Sequence, residues 1–448
     1  MSLSIDGTAS VRRAVASDAF DFKAVLRPGD VVAWPQGPGE PLGLTRRLLD
    51  QRHELAPLSI FVGMSTSDTL SPLHVKPFTV SALNGAGTNR RLAASGLLDV
   101  IPVHVSALPR LLRSGAIRVD VVLLRVRPGP SRGSLSLGVI ADYTAALIAA
   151  ARCVIAELDE RLPRTGQDAL IDAASVDHIV LSEGSNDSLI VDQEPTAIDL
   201  EVAARVANLI PDRATLQLGI GGLPVAVARA LTSHRDLGVH SGVVSDSLVD
   251  LVEAGVVTNA YKSVDRGLIV TGGLFGSRRL LDFADNNPQV AMRSVGHTHD
   301  LGVMAQLQSF FSVNGAIEVD LSGQVNAEEA DGRYLGAVGG QVDFVRGGGL
   351  SPGGRSIIAL PSTTANGRVS RIVGSLSGRP VTTPRSDVDL VVTEFGVADL
   401  RGAALSVRVK RLAAIAHPAF RDGLQAAALR PAQGAASVTS GHPSDRGR

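Results

Sequence analysis

Short Val/Ile/Leu runs ending in glycine-rich turns alternate along this chain with segments of helical period, and that rhythm limits the fold more than any other feature. Apolar runs this short and unbroken are strands buried on both faces, and the helical segments supply the crossovers that parallel strands require. In the first half DVVAWP (30–35), LSIFVGM (58–64), LDVIPVHV (98–105), VDVVLLRV (119–126) and CVIAEL (153–158) read as strands, with LGLTRRLLDQRH (42–53) and DYTAALIAAAR (142–152) as helices between them. The second half repeats the pattern with TLQLGI (215–220), LGVHSGV (237–243), GLIVTG (267–272), SIIALP (356–361) and VDLVVTE (388–394). The fold class expected is α/β, with two similar lobes of mainly parallel sheets flanked by helices. A polar Gly/Ser/Asn/Pro stretch at 182–199 marks their division, so the lobes are expected at 1–190 and 191–430. Residues 431–448 lack any apolar period and are expected to form a mobile tail.

Charge and cysteine usage narrow the function. Lys+Arg number 43 against 44 Asp+Glu, a formal net charge of -1, so no basic surplus exists to neutralise a nucleic-acid backbone. Nucleic acid is set aside as a partner. The single cysteine, Cys153, cannot form an internal disulfide and fits a reducing cytoplasm. Charges interrupt the N-terminal segment where a signal peptide carries its apolar core, and no run of about 18 apolar residues occurs. Neither secretion nor membrane spanning is expected.

Three segments could carry chemistry. TLQLGIGGLPVAVARAL (215–231) reads as strand, glycine turn and helix, with Pro224 placed to open the helix. Backbone N–H groups at Gly219, Gly221 and Gly222 can approach a ligand closely, and the helix N-terminus favours a phosphate or an oxyanion. The alternative is an ordinary tight turn. A dinucleotide fingerprint is disfavoured, because Pro224 occupies its last glycine position and no acid ends the next strand, Asp236 lying before it. In the second segment, 309–329, Ile317, Val319 and Leu321 alternate with Glu318, Asp320 and Ser322. That spacing is a strand with one polar face, whose acids are either catalytic or simply solvated. The third segment, YLGAVGGQVDFVRGGG (334–349), sets Gly339 and Gly340 before Gln341. A second glycine loop suits a long ligand gripped along its backbone.

Several stretches in this half, among them LQLGIGGLPVAVARAL, NGAIEVDLSGQVNAE, GAVGGQVDFVRG, ALPSTTANGRVSRIV and SDVDLVVTEFGVADLRG, closely resemble the acetyl-CoA hydrolase/transferase family, in family order over roughly 200–421. The first half resembles it more loosely, through 137–165 and NGAGTNRRL (84–92). The resemblance implies two CoA-transferase-type lobes with the active site between them, a coenzyme A thioester as substrate rather than a resident cofactor, a small carboxylic acid as acceptor, and a homodimer. It also implies ping-pong chemistry, in which a glutamate carboxylate attacks acyl-CoA and forms a glutamyl-CoA thioester. In LGVHSGVVSDSLVDL the position matching that glutamate is Gly242. A glycine has no carboxylate.

Three consequences are open: another acid, Glu318 or Glu394, takes over; water is activated and the thioester hydrolysed; or the protein binds CoA thioesters silently as a regulator. Glu394 matches an acid that the family keeps beside its separate nucleophile, which suits it to positioning. His299 stands where relatives more often carry asparagine, and an imidazole can orient or deprotonate water. No Gly-x-Ser-x-Gly elbow is present. His297, His299 and Asp300 form only a lone His-x-His with a neighbouring acid, so no metal is expected.

Overall fold

The structure, a computed structural model, describes residues 15–182, 184 and 189–429. The expected tail at 431–448 lies outside them. Two large sheets carry the two halves of the chain. Across the first, the order is Val15–Ala16, His178–Leu181, Cys153–Leu158, Val121–Pro128, Val31–Trp34, Ser59–Val62, Thr79–Ala82 and Asp99–Val100, all parallel. Across the second, it is Val290–Met292, Ile269–Thr271, Gly238–Ser241, Thr215–Leu218, Phe310–Gly315, Arg355–Ala359 and Leu390–Thr393, again parallel, with Gly396–Asp399 antiparallel at the edge.

The two sheets are wound alike. Apart from the short edge strand Val15–Ala16 that opens the first half, each chain half begins near the middle, adds strands outward on one side, then returns to build the other side. The reversal falls between Val31–Trp34 and Val121–Pro128 in the first sheet, and between Thr215–Leu218 and Phe310–Gly315 in the second. At such a reversal the helices leave to opposite faces, opening a crevice beyond the carboxyl ends of the strands. Gln36 follows the first reversal strand, and the Gly219–Gly222 turn follows the second.

The lobes meet at these ends. One apolar core runs across the junction, with Leu124, Val126 and Ile140 of the first half packed into the same cluster as Leu216, Leu274 and Phe275 of the second. Backbone bonds fix the alignment: Ala141 N–H donates to Gly272 O (2.8 Å), Val295 N–H to Asp142 O (2.9 Å), Val105 N–H to Gly339 O (3.0 Å) and Gly85 N–H to Gly336 O (3.0 Å).

Two expectations change. The run 98–105 forms strand only at Asp99–Val100, because pairing with Thr79–Ala82 covers just those two residues before the chain leaves the sheet after Ile101 N–H donates to Ala82 O (2.8 Å). The alternating segment 309–322 is two strands in two sheets: Phe310–Gly315 belongs to the large sheet, and Glu318–Asp320 to a separate three-stranded one. Glu318 and Asp320 are buried rather than solvated.

Candidate functional site

The second-lobe reversal is closed by a paired amide contact. Asn314 Nδ2 donates to Gln217 Oε1 (3.1 Å) and Gln217 Nε2 lies 3.4 Å from Asn314 Oδ1, so the carboxyl ends of the two central strands are held together. Directly above them Gly221 has φ 109° and ψ -178°, a conformation that only glycine adopts without strain. A Cβ there would meet nothing within 4 Å, so dihedral rather than space demands glycine. The helix Gly222–Ala230 starts at once, and its first N–H groups lack intrahelical partners. Pro224 is the third residue of that helix rather than the first, still within the turn whose N–H groups need no partner.

Gly242, one residue past the strand Gly238–Ser241, is flanked by the ring of His299. A Cβ at 242 would stand 2.9 Å from His299 Cε1, 3.1 Å from Nε2 and 3.5 Å from Phe344 Cε2. Gly340 approaches the same ring from the helix Gln341–Leu350, where a Cβ would lie 2.6 Å from His299 Cδ2. The imidazole is wedged between two glycines and packs against Phe344, with ring centroids 4.5 Å apart and planes tilted by 47°. Gly340 has an ordinary negative φ of -98°, so its need for glycine comes from the histidine and not from the backbone. Gly339, at φ 54°, sits on the turn and reaches back to Val105.

Hydrogen bonds fix the tautomer of His299. Thr298 Oγ1 donates its one proton to Ser294 O (3.2 Å) and accepts at 2.8 Å from His299 Nδ1. The Nδ1–H is thereby assigned, leaving the Nε2 lone pair facing the gap between Gly242 and Gly340. Burial lowers the pKa of this imidazole to about 3, so the ring is neutral at physiological pH.

Asp142 meets the second lobe through its main chain, its N–H donating to Gly272 O (3.2 Å) and its O accepting from Val295 N–H (2.9 Å). Its Oδ2 accepts from Gln36 Nε2 (3.0 Å), and its Oδ1 from Thr144 N–H (3.1 Å) and Thr144 Oγ1 (3.0 Å). Behind it, Gly272 N–H donates to Gly242 O (3.0 Å). Burial raises the Asp142 carboxyl to about 6 against these three donors. Sequence reasoning saw Asp142 only as the start of a helix.

The remaining candidates lie elsewhere. Glu394 follows the strand Leu390–Thr393, four strands from the Gly242 strand, about 19 Å at the usual spacing. Both its oxygens accept from Ser362, Oε2 from the N–H (2.9 Å) and Oε1 from the hydroxyl (2.6 Å). It braces a loop. Glu318 is paired with Arg379, and the atoms nearest a Cβ at 242 belong to His299 and Phe344 rather than to either acid. Gln341 Nε2 donates to Thr383 Oγ1 (3.2 Å). His297, His299 and Asp300 diverge: His297 Nε2 meets Asp265 Oδ2 at 2.6 Å, while Asp300 Oδ1 accepts from Val303 N–H and caps the next helix.

Two lobes wound alike and joined at their reversal points, with glycine backbone at the junction, define a CoA-transferase type of protein. Residues 15–191 match the acetyl-CoA hydrolase/transferase N-terminal domain and residues 276–428 its C-terminal domain, and the chain belongs to that family. It is 39% identical over 398 residues to 4-hydroxybutyrate coenzyme A transferase of Clostridium kluyveri, covering 88% of this chain and 92% of that one. Among solved structures, RipA from Yersinia pestis matches with TM-score 0.84 at 33% identity, covering 90% of this chain and 94% of that one. A 4-hydroxybutyrate CoA-transferase from Porphyromonas gingivalis matches with TM-score 0.77 at 33% identity, covering 92% and 96%.

Proposed function

We propose that this chain hydrolyses acyl-CoA thioesters, with His299 acting on water in the space where the family's glutamate would stand. The observation that carries the reading is the imidazole wedged between Gly242 and Gly340 with its Nε2 lone pair toward the gap. Water attacks the thioester carbonyl carbon as Nε2 takes its proton. The oxyanion is met by N–H groups at the start of the Gly222–Ala230 helix, and the C–S bond then breaks as the imidazolium returns the proton to the CoA sulfur. A neutral, weakly basic ring suits this order, because imidazolium becomes favourable only beside the developing negative charge. Coenzyme A enters as part of the substrate, and a small carboxylic acid is the competing acceptor.

The test is acyl-CoA turnover in oxygen-18 water, with and without acetate or succinate. Solvent label in the released acid without an acceptor is expected. Acceptor-dependent exchange together with a borohydride-reducible protein thioester would overturn the reading. Tight acyl-CoA binding without turnover would instead favour a silent binding protein, which the low basicity of the buried His299 also suits.

A further inference from the structure

The fold assembles a second histidine cluster that the linear sequence scatters. His240, Asp265 and His297 each offer a ligand atom, and these atoms lie within 4.8 Å of one another. His240 is fully buried; its Nε2 lies 3.0 Å from Thr298 O, while its Nδ1 has no hydrogen-bond partner. The carbonyl accepts the Nε2 proton, so Nδ1 bears a bare lone pair at a fully buried atom, while Asp265 and His297 are only partly buried. A buried acceptor with nothing to accept from is costly unless a Lewis acid occupies the place. We propose that His240, Asp265 and His297 form a binding site for a divalent transition-metal ion, zinc being the ion the ligand set suits best.

The donor chemistry fits. Two imidazoles and a carboxylate are a common three-ligand zinc set, completed by water. The Thr298 carbonyl on His240 Nε2 is the kind of outer contact that orients a metal-binding imidazole. His297 Nε2 and Asp265 Oδ2 now share a hydrogen bond at 2.6 Å. Ligands on tetrahedral zinc stand about 3.3 Å apart, so this pair has to open by less than about 1 Å as the ion replaces the shared proton. Two cations border the site. Arg293 lies 3.6 Å from Asp265 Oδ1 and 3.5 Å from Asp168, leaving Oδ2 for the ion. Lys262 directs Nζ to Val239 O (2.8 Å) and Leu268 O (2.7 Å) instead of to the carboxylate.

Position gives the site its consequence. His240 precedes Gly242 by two residues and His297 precedes His299 by two, so one ion would brace both segments that flank the cleft. The proposal stands apart from hydrolysis, since a metal can be present whatever the turnover.

To test it, the full-length protein is stripped with a chelator, dialysed, and titrated with Zn²⁺ alone and with Co²⁺ alone. Saturable binding of about one equivalent is expected, with roughly tenfold or greater loss of Zn²⁺ affinity in Asp265→Asn and in His297→Gln. His299→Gln should keep the metal. X-ray absorption on the unsubstituted Zn²⁺ form should give two imidazole ligands, a readout that needs no variant to fold. Absence of saturable binding, a metal shell without imidazole, or affinity unchanged in both folded variants would each overturn the site.

Discussion

Placing a carboxylate at position 242 is the sharpest test of how the cleft is arranged. The backbone permits it, because Gly242 is absent from the positive-φ residues and a side chain there meets no dihedral penalty. Space does not permit it. A Cβ at 2.9 and 3.1 Å from His299 requires the ring to retreat by about half an ångström to reach ordinary contact, and Phe344 and the Thr298 bond hold it from behind. Overpacking of this kind costs about 1–3 kcal/mol. Gly242→Glu alone should therefore destabilise the protein and leave its carboxylate misdirected. Gly242→Glu/His299→Asn clears the ring, and the cycle of four proteins should show a favourable coupling of about 1–3 kcal/mol. Denaturant unfolding measures that coupling. The same double variant should gain acceptor-dependent CoA exchange and become inactivated by borohydride only in the presence of acyl-CoA. Additivity within about 0.5 kcal/mol would refute the argument that the two positions compete for one volume.

Three further outcomes are expected. His299→Gln should lower acyl-CoA hydrolysis by about 10²–10⁴-fold while calorimetry shows acyl-CoA still bound, since the glycine turns are untouched. Gly221→Ala should cost about 1–3 kcal/mol in stability through its φ of 109° and weaken acyl-CoA binding, even though a Cβ there finds open space. Asp142 holds its proton more tightly folded than unfolded, at about 6 against an ordinary 3.8. Its stabilising effect is complete below about pH 4 and lost as pH rises through about 6, a fall on the order of 3 kcal/mol that Asp142→Asn should flatten. Unfolding midpoints of both proteins across pH 4–8 check the sign.

Much of the framework was legible because burial on both faces leaves contiguous apolar runs. Cys153–Leu158 is strand from end to end as its composition requires. Thr79–Ala82 passed unread, since four residues alternating with Thr and Ser carry too little apolar signal. Site residues divide in the same way. The glycines of the two turns and the glycine at 242 can be seen in the residues themselves, whereas the contact of Gly242 with His299 depends on how the second sheet and the Gln341–Leu350 helix converge. Glu394 sits beside the family motif in the chain, but strand order is invisible along a chain, and three strands stand between its strand and that of Gly242. Asp142 and Lys262 gave no signal at all: each becomes unusual only when the fold buries it, raising the carboxyl to about 6 and lowering the ammonium to about 7.

Main-chain bonds join the lobes at Ala141 to Gly272, Val295 to Asp142, Val105 to Gly339 and Gly85 to Gly336, with side-chain bonds such as Ser106 to Asp343 and Ser294 N–H to Asp168 beside them. The main-chain part of that frame does not depend on the side chains displayed at 242, 299 and 340. Groups displayed on it can change while those bonds stand, so the chemistry of the cleft can be exchanged while the architecture around it stays. Such a junction works as a socket for reactive groups, and protein engineering aimed at new thioester reactions can begin by varying 242, 299 and 340 together and leaving every other contact alone.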